Sequence, residues 1–175
     1  MHLYHWVPEK MVGDILQPLN TLRETHPELY AEYVKKYQGR EELLKARVPI
    51  LGCLWNDVLH LTPVNPQEVM KAYRDTGLKA RTTHFFKIPD SSLKRDELVI
   101  YKHTKIANDD WSIDPSEILR YSSTIAKKFS HLPDAARQYF EREKSAGRRP
   151  LLFGFVPHVL YRGQIDISKC EVIES

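Results

Sequence analysis

Histidine is the residue type in this sequence best suited to chemistry near neutral pH, because imidazole can exchange a proton and can bind a ligand. The eight histidines are dispersed along the chain, and two of them, His5 and His60, lie within apolar runs. We treat both as candidate catalytic residues. No H-x-x-x-H, H-E-x-x-H or C-x-x-C spacing occurs, so the sequence predicts no metal site.

The segment CLWNDVLHLTPV (53–64) combines a polar turn with an apolar strand pattern. Asn56 and Asp57 favour a turn because their side chains bond to nearby backbone groups. Strand alternation then places His60 on one face with Thr62. Two interpretations remain open. Either His60 is hydrogen-bonded at the packed edge of a sheet, or Asn56, Asp57 and His60 line a polar, ligand-binding groove.

Two further segments carry candidate ligand-binding residues. In LYHWVP, His5 is flanked by aromatic residues that could stack on a ligand. In FVPHVLYRGQIDIS, His158 follows a proline at a strand end, and Arg162 could bind a phosphate or carboxylate through two parallel hydrogen bonds. The alternative for Arg162 is an ion pair with Asp166 in a solvated turn.

The segment KKYQGREELL clusters Lys36, Arg40 and Glu41 around Gly39. It lacks the several glycines that a phosphate-binding loop places before a helix. We therefore interpret it as the end of one helix, terminated by glycine, and the start of the next.

Apolar periodicity and turn residues predict strands and helices in mixed order. Strands are expected at 2–7, 58–64, 80–89, 97–104, 150–157 and 169–174, and helices at 20–26, 27–38, 40–48, 65–77, 115–129 and 133–147. Asn20 and Asn65 are expected to cap their helices, and Gly77 to end the second of these. Residues 108–115, NDDWSIDP, are expected to form a polar loop.

This order indicates an α+β fold with a small sheet, mixed or antiparallel, flanked by helices. Three expected strands run into a proline, which cannot donate to a sheet ladder. The edges of the sheet should therefore be irregular, and a split sheet with a groove between its halves would fit this pattern.

Length, charge and cysteine content limit the class of protein. The 175 residues fit a single globular domain, residues 1–175. A net charge of +3 does not indicate nucleic acid as a partner, and no apolar run is long enough to span a membrane. Neither Cys53 nor Cys170 lies in a redox or metal motif, which favours a reducing, cytoplasmic setting. The sequence does not decide whether they form a disulfide.

The two ends of the chain resemble small ADP-ribosyltransferase-like proteins of the His-Tyr-Glu type. LYHWVP is similar to the first strand of these proteins, and LLFGFVPHVLYRGQIDISKCEVIE is similar to their closing strands. The resemblance implies a split sheet, NAD as cofactor, His5 as the residue that binds the nicotinamide ribose, and Tyr101 as a stacking residue of the catalytic site. The catalytic glutamate of the family would lie on LLFGFVP, which contains no acid; Glu171 and Glu174 follow on the next strand.

The first functional hypothesis is therefore a nucleotide-binding enzyme of this kind, or a catalytically degenerate relative. It predicts that four side chains converge around one concave pocket: His5, Asn56, His60 and Arg162. We favour it because polar residues concentrate at the ends of the expected strands, where loops carry function.

The second hypothesis is a non-catalytic domain that binds a protein partner. The helix at 27–38 carries Tyr30, Tyr33 and Tyr37, and an exposed patch of these tyrosines would form its interface. Tyrosines at this spacing also occur in ordinary helix cores, so the side chains must be exposed for this hypothesis to hold.

Overall fold

The structure is a computed structural model that describes residues 1–105 and 112–175. Within these residues the helices are α1 (Leu19–Thr25), α2 (Pro27–Tyr33), α3 (Pro66–Asp75), α4 (Ser123–Lys127) and α5 (Asp134–Ser145). The strands are β1 (His2–Trp6), β2 (Ile15–Leu16), β3 (Arg47–Val48), β4 (Cys53–Leu54), β5 (Leu59–Leu61), β6 (His84–Pro89), β7 (Leu98–Tyr101), β8 (Ile118–Arg120), β9 (His158–Tyr161), β10 (Ile165–Asp166) and β11 (Glu171–Glu174).

Two antiparallel sheets form the framework. One has the strand order β1-β6-β11 and the other β5-β9-β7-β8, while β10-β2 and β3-β4 form two small additional pairs. All of the pairings among the described strands are antiparallel. The α+β fold expected from the sequence is therefore confirmed, in its antiparallel form.

A single backbone bridge joins the two sheets. The amide of Tyr4 donates to the carbonyl oxygen of Thr62 at 2.9 Å, and the amide of Thr62 donates back to Tyr4 at 2.9 Å. Beyond this bridge no ladder joins β1 and β5, which are edge strands of their two sheets. The space beside the bridge is therefore free to open into a cavity.

The helical segment 19–45 covers this side of the molecule. Two short helices, α1 and α2, continue into 3-10 turns at Val34–Tyr37 and Glu41–Lys45. Leu19, Tyr37 and Leu43 form its core, and Trp55 packs against them. Trp55 lies directly before β5, so this contact ties the helical segment to the second sheet.

Several local sequence signals are confirmed. The first strand, the closing strand at 171–174 and the helices α3 and α5 all lie within their predicted ranges. Asn65 caps α3 by accepting a hydrogen bond from the amide of Gln67 at 3.0 Å. Gly77 adopts a φ of 77° directly after that helix, a conformation that costs glycine little.

Four local predictions are wrong. The helix predicted at 40–48 forms only as a 3-10 turn at Glu41–Lys45, because Arg47–Val48 pair with β4 as strand β3. Asn20 does not cap α1; Pro18 occupies the cap position, and the Asn20 amide donates instead to Asp57. The helix predicted at 115–129 is replaced by β8 and the short α4, because residues 118–120 pair with β7.

The strand predicted at 150–157 does not form. Residues 152–155 make turns, and Phe155 has a φ of 60°, which breaks an extended run. Strand β9 begins only at His158. The predicted polar loop at 108–115 falls partly outside the described residues, since 106–111 are not among them.

Candidate functional site

A cavity of about 770 Å³ lies where β1 and β5 separate, beneath the helical segment 19–45. This volume is within the range typical of sites for small molecules and cofactors. Much of its wall is apolar, and its aromatic side chains are Tyr4, Trp6, Tyr33, Tyr37, Trp55, Phe85 and Phe153.

Three histidines from three strands line the cavity: His5 on β1, His60 on β5 and His158 on β9. The structure thus brings together side chains that are far apart in sequence and belong to both sheets. The rings of His60 and His158 are 6.4 Å apart between centroids. A fourth histidine, His26 at the start of α2, also lines the cavity, 3.7 Å from Glu28.

His5 is held in one neutral tautomer. Its Nδ1 lies 2.6 Å from the carbonyl oxygen of Trp6, and since a carbonyl can only accept, Nδ1 carries the proton. Burial is the main cause that lowers the pKa of His5 to about 4. The hydrogen bond to Trp6 acts in the opposite direction, and the charge of Lys36 lowers the pKa further. At neutral pH the Nε2 atom is therefore unprotonated and is a hydrogen-bond acceptor.

His60 is oriented in the same way by a backbone carbonyl. Its Nε2 lies 3.2 Å from the carbonyl oxygen of Trp55 and donates to it, which leaves Nδ1 as the acceptor. The Trp55 ring packs against the imidazole with centroids 4.3 Å apart. Burial and then the neighbouring His158 hold the pKa of His60 well below its ordinary value.

His158 has the least satisfied ring of the three. Its buried Nδ1 atom has no hydrogen-bond partner among the described residues. Burial, and then His103 at 5.3 Å between ring centroids, lower the pKa of His158 to about 3. The sequence did not single out His103, whose Nδ1 donates to the carbonyl oxygen of Val156 at 3.2 Å.

The turn before β5 carries a second buried polar atom without a partner. Asn56 lines the cavity, is only 2 % exposed, and its Oδ1 atom has no partner among the described residues. Asp57 does not line the cavity. Its carboxylate accepts from the amide of Leu54 at 2.7 Å and from the Asn20 side chain at 2.7 Å, so it fixes the turn that presents Asn56.

Two cations of the helical segment also line the cavity, and the sequence interpretation assigned them no ligand. The Lys36 ammonium lies 5.2 Å and the Arg40 guanidinium 5.5 Å from the centroid of the Tyr37 ring. Glu9 is the sole carboxylate among the described lining residues. The sequence does contain a local signal for this pair, because Lys36 and Arg40 flank Tyr37 in the pattern K-Y-x-x-R.

Tyr101 and Arg162 lie outside the cavity wall. Tyr101 is buried behind it, with its ring 6.3 Å from His158 and 6.0 Å from Trp55. Arg162 does not pair with Asp166; it makes a two-pronged ion pair with Glu97 and donates to the carbonyl oxygen of Leu51 at 3.0 Å. Of the four side chains expected to converge, His5, Asn56 and His60 line one cavity and Arg162 does not.

Neither closing-strand glutamate lines the cavity. Glu171 pairs with Lys87 at 2.7 Å, and Glu174 lies 3.7 Å from His84. Both are exposed on β11. The described part of the chain also contains no group of three or more side chains arranged to hold a metal ion, and none of its helices is long and apolar enough to cross a membrane.

Comparisons of the chain with protein-family models, with curated proteins and with solved structures find no match. The chemistry of the cavity itself therefore indicates the class of ligand. Its chemistry consists of unprotonated imidazole acceptors, aromatic faces and three cations (Lys10, Lys36 and Arg40), with a single carboxylate among the described lining residues. Such a wall suits a ligand that combines hydroxyl or N–H donors, a planar ring and negative charge.

Proposed function

We propose that this protein binds a nucleotide in the cavity, with NAD as the first candidate, and that it is an ADP-ribosyltransferase-like enzyme or a catalytically degenerate relative. The observation that carries the proposal is the placement of His5, His60 and His158, from both sheets, around one cavity of about 770 Å³. Large cavities lined by apolar rings and a few oriented polar groups are the usual sites of such ligands.

The imidazole acceptors suit a ribose. The Nε2 atom of His5 and the Nδ1 atom of His60 have lone pairs because their other ring nitrogens donate to backbone carbonyls. A sugar hydroxyl is a donor that can satisfy either of them. This supports the role in ribose binding that the resemblance implies for His5.

The aromatic wall suits a base. Trp6 and Phe85 pack edge to face at 5.4 Å, and Phe85 continues to Phe153 at 6.0 Å. Trp6 is 41 % exposed, so its face remains accessible. A heteroaromatic ring stacked there would gain both buried apolar area and ring–ring contact.

Binding is better supported than transfer. Transfer of ADP-ribose breaks the bond between nicotinamide and ribose, and the resemblance assigns a glutamate to that step. The one carboxylate among the described lining residues is Glu9, which is exposed and follows β1. We therefore favour the degenerate form, which binds nucleotide without rapid turnover.

The alternative of a protein-interaction domain has less support. Tyr37 is buried, Tyr30 and Tyr33 are half-buried, and the Tyr33 hydroxyl bonds to the backbone of Lys10. The tyrosines of the helical segment thus contribute to its own packing.

Cys53 and Cys170 are both free thiols, which supports the reducing, cytoplasmic setting.

A thermal-shift titration with NAD, ADP-ribose and AMP tests the proposal. A ligand at about 100 times its Kd adds roughly 2.7 kcal/mol of stability, which at this chain length raises Tm by roughly 5–10 °C. We expect such a shift for the wild type and for His131→Ala, an exposed histidine outside the cavity. His5→Ala should abolish it. No shift with any of the three nucleotides would overturn the proposal.

Release of nicotinamide from NAD, followed by chromatography, then separates the two forms of the proposal. We expect no release above the rate without protein. Release that depends on His5 would identify an active transferase or hydrolase instead.

A further inference from the structure

We infer that Lys36 and Arg40, held over the ring of Tyr37, form an anion subsite that selects phosphorylated ligands over uncharged ones. This inference rests on the proposed nucleotide cavity and names the part of the ligand that these cations recognise. The ligand class is a nucleoside mono- or diphosphate, with its phosphate at the helical side of the cavity.

The geometry of the pair is built by the chain itself. Arg40 donates from Nε at 3.1 Å and from Nη2 at 2.8 Å to the carbonyl oxygen of Lys36. Both cations lie over one aromatic ring, that of buried Tyr37. A cation over a ring face is held by the negative charge density of that face, so Tyr37 acts as a common platform for two positive charges.

Lys36 and Arg40 differ from Lys10 and Lys45, two cations of the same region, in having no carboxylate partner among the described residues. Lys10, which also lines the cavity, pairs with Glu32 at 2.8 Å, and Lys45 pairs with Glu42 at 2.9 Å. Within residues 1–105 and 112–175, neither Lys36 nor Arg40 pairs with a carboxylate.

The adjacent acid, Glu41, makes no ion pair with either cation among the described residues. The carboxylate of Glu41 accepts from the amide of Gly39 at 2.9 Å and is engaged in that turn. The Lys36 ammonium and the Arg40 guanidinium lie 5.2 Å and 5.5 Å from the centroid of the same Tyr37 ring. Two like charges at close range repel each other, and a bound anion would remove that repulsion.

The subsite lies beside the histidines that suit a ribose. Lys36 and Arg40 line the same cavity as His5 and His60. Because burial keeps the two imidazoles neutral, the positive charge on this side of the cavity comes from Lys36 and Arg40. A ribose at the imidazoles and a phosphate at the cations are adjacent groups of one nucleotide.

Calorimetric titration with adenosine, AMP and ADP tests the subsite. The variants are Lys36→Gln with Arg40→Gln, and the control is Lys35→Gln, an exposed lysine in the same 3-10 turn that does not line the cavity. We expect ADP to bind the wild type at least tenfold more tightly than adenosine. The double variant should lose this preference and keep its affinity for adenosine, whereas the control should match the wild type.

A salt series on the wild type tests the subsite independently of whether the variants fold. Raising the salt concentration from 50 to 200 mM should weaken the affinity for ADP at least threefold, because salt screens a contact between charges. The affinity for adenosine should not change. Equal binding of ADP and adenosine, or an unchanged ADP affinity in a folded double variant, would overturn the subsite while the nucleotide cavity stands. Absence of binding by all three ligands would overturn both.

Discussion

The imidazoles of His60 and His158 face each other across two adjacent antiparallel strands, with centroids 6.4 Å apart and planes at 82°. His60 pairs in register with Leu160, so His158 is its diagonal neighbour on the same face of the sheet. Burial is the main cause that lowers the pKa of both rings; His158 lowers that of His60 further, and His103 that of His158. The histidine part of the cavity wall is therefore neutral at pH 7.

The neutral histidines predict a loss of stability under mild acid. The pKa of His158 is about 3 and that of His5 about 4 in the folded chain, against roughly 6.5 when unfolded. Between pH 6.5 and 4 the unfolded chain therefore binds more protons, and stability falls as pH falls. Each such histidine contributes up to about 1.4 kcal/mol per pH unit.

Urea unfolding at pH 7 and pH 4.5 of the wild type, His158→Phe and His131→Phe measures this effect. His158→Phe should flatten the dependence and cost little at pH 7, since it keeps an aromatic ring and removes a nitrogen without a partner. His131→Phe, at an exposed position, should retain the wild-type dependence. An unchanged dependence in His158→Phe would contradict the account.

One other group has to be kept apart from this measurement. Burial alone would raise the pKa of Asp90, but hydrogen bonds from the terminal ammonium, Ser123 and Tyr121 outweigh it and lower that pKa to about 2. Its stabilising contribution is complete above roughly pH 4 and is lost only below it. The comparison of the wild type with His158→Phe at the same pH cancels this contribution and that of other carboxyls with lowered pKa values, such as Glu97 and Glu143, because both chains retain them.

We expect Asp57 to affect ligand binding only indirectly, because it fixes the turn that carries Asn56 and does not itself line the cavity. Asp57→Ala removes two hydrogen bonds, to the amide of Leu54 and the side chain of Asn20, and should cost about 1–2 kcal/mol of stability. Because the turn carries Trp55 and Asn56 into the cavity wall, nucleotide affinity should also fall several-fold. Melting curves and calorimetry on the same samples give both quantities.

The matched control for that substitution is Asp75→Ala, which removes an exposed ion pair with Lys71. It should change stability by less than about 0.5 kcal/mol and leave nucleotide affinity unchanged. Equal affinity loss in both variants would argue against a positioning role for Asp57.

Arg162 is expected to matter for structure and not for the ligand. Outside the cavity wall it donates hydrogen bonds to the Glu97 carboxylate and to the carbonyl oxygen of Leu51. Arg162→Ala should cost about 1 kcal/mol, as for a partly exposed ion pair, and keep the Kd of ADP within twofold of the wild type. A tenfold weaker Kd would restore the phosphate-binding role suggested by the sequence.

Local chemistry was enough to predict those elements whose signals lie within a few residues. The Asn65-Pro66 start and the Gly77 end define α3 without reference to the rest of the chain. Strand β8 could not be found this way, because residues 118–120 are extended by pairing with β7, about 20 residues earlier. Tertiary pairing there outweighs a pattern that favours helix.

The same distinction applies to the candidate site. His5, His60 and His158 were identified because each lies in or beside an apolar run, and the structure places all three around the cavity; their roles remain predictions. Lys36 and Arg40 gave only a helix-end signal, since their lack of a carboxylate partner depends on the folded surroundings. The partner of Arg162 is 65 residues away, beyond any local pattern.

The most direct test of the central claim is a nitrogen-15 NMR titration of the histidine ring nitrogens with ADP-ribose at pH 7. The free protein should show His5 with its proton on Nδ1 and His60 with its proton on Nε2. Addition of ADP-ribose should move the resonances of the unprotonated nitrogens of both rings in a saturable way and leave His131 in place. Resonances of His5 and His60 that do not move at millimolar ADP-ribose would contradict a nucleotide cavity.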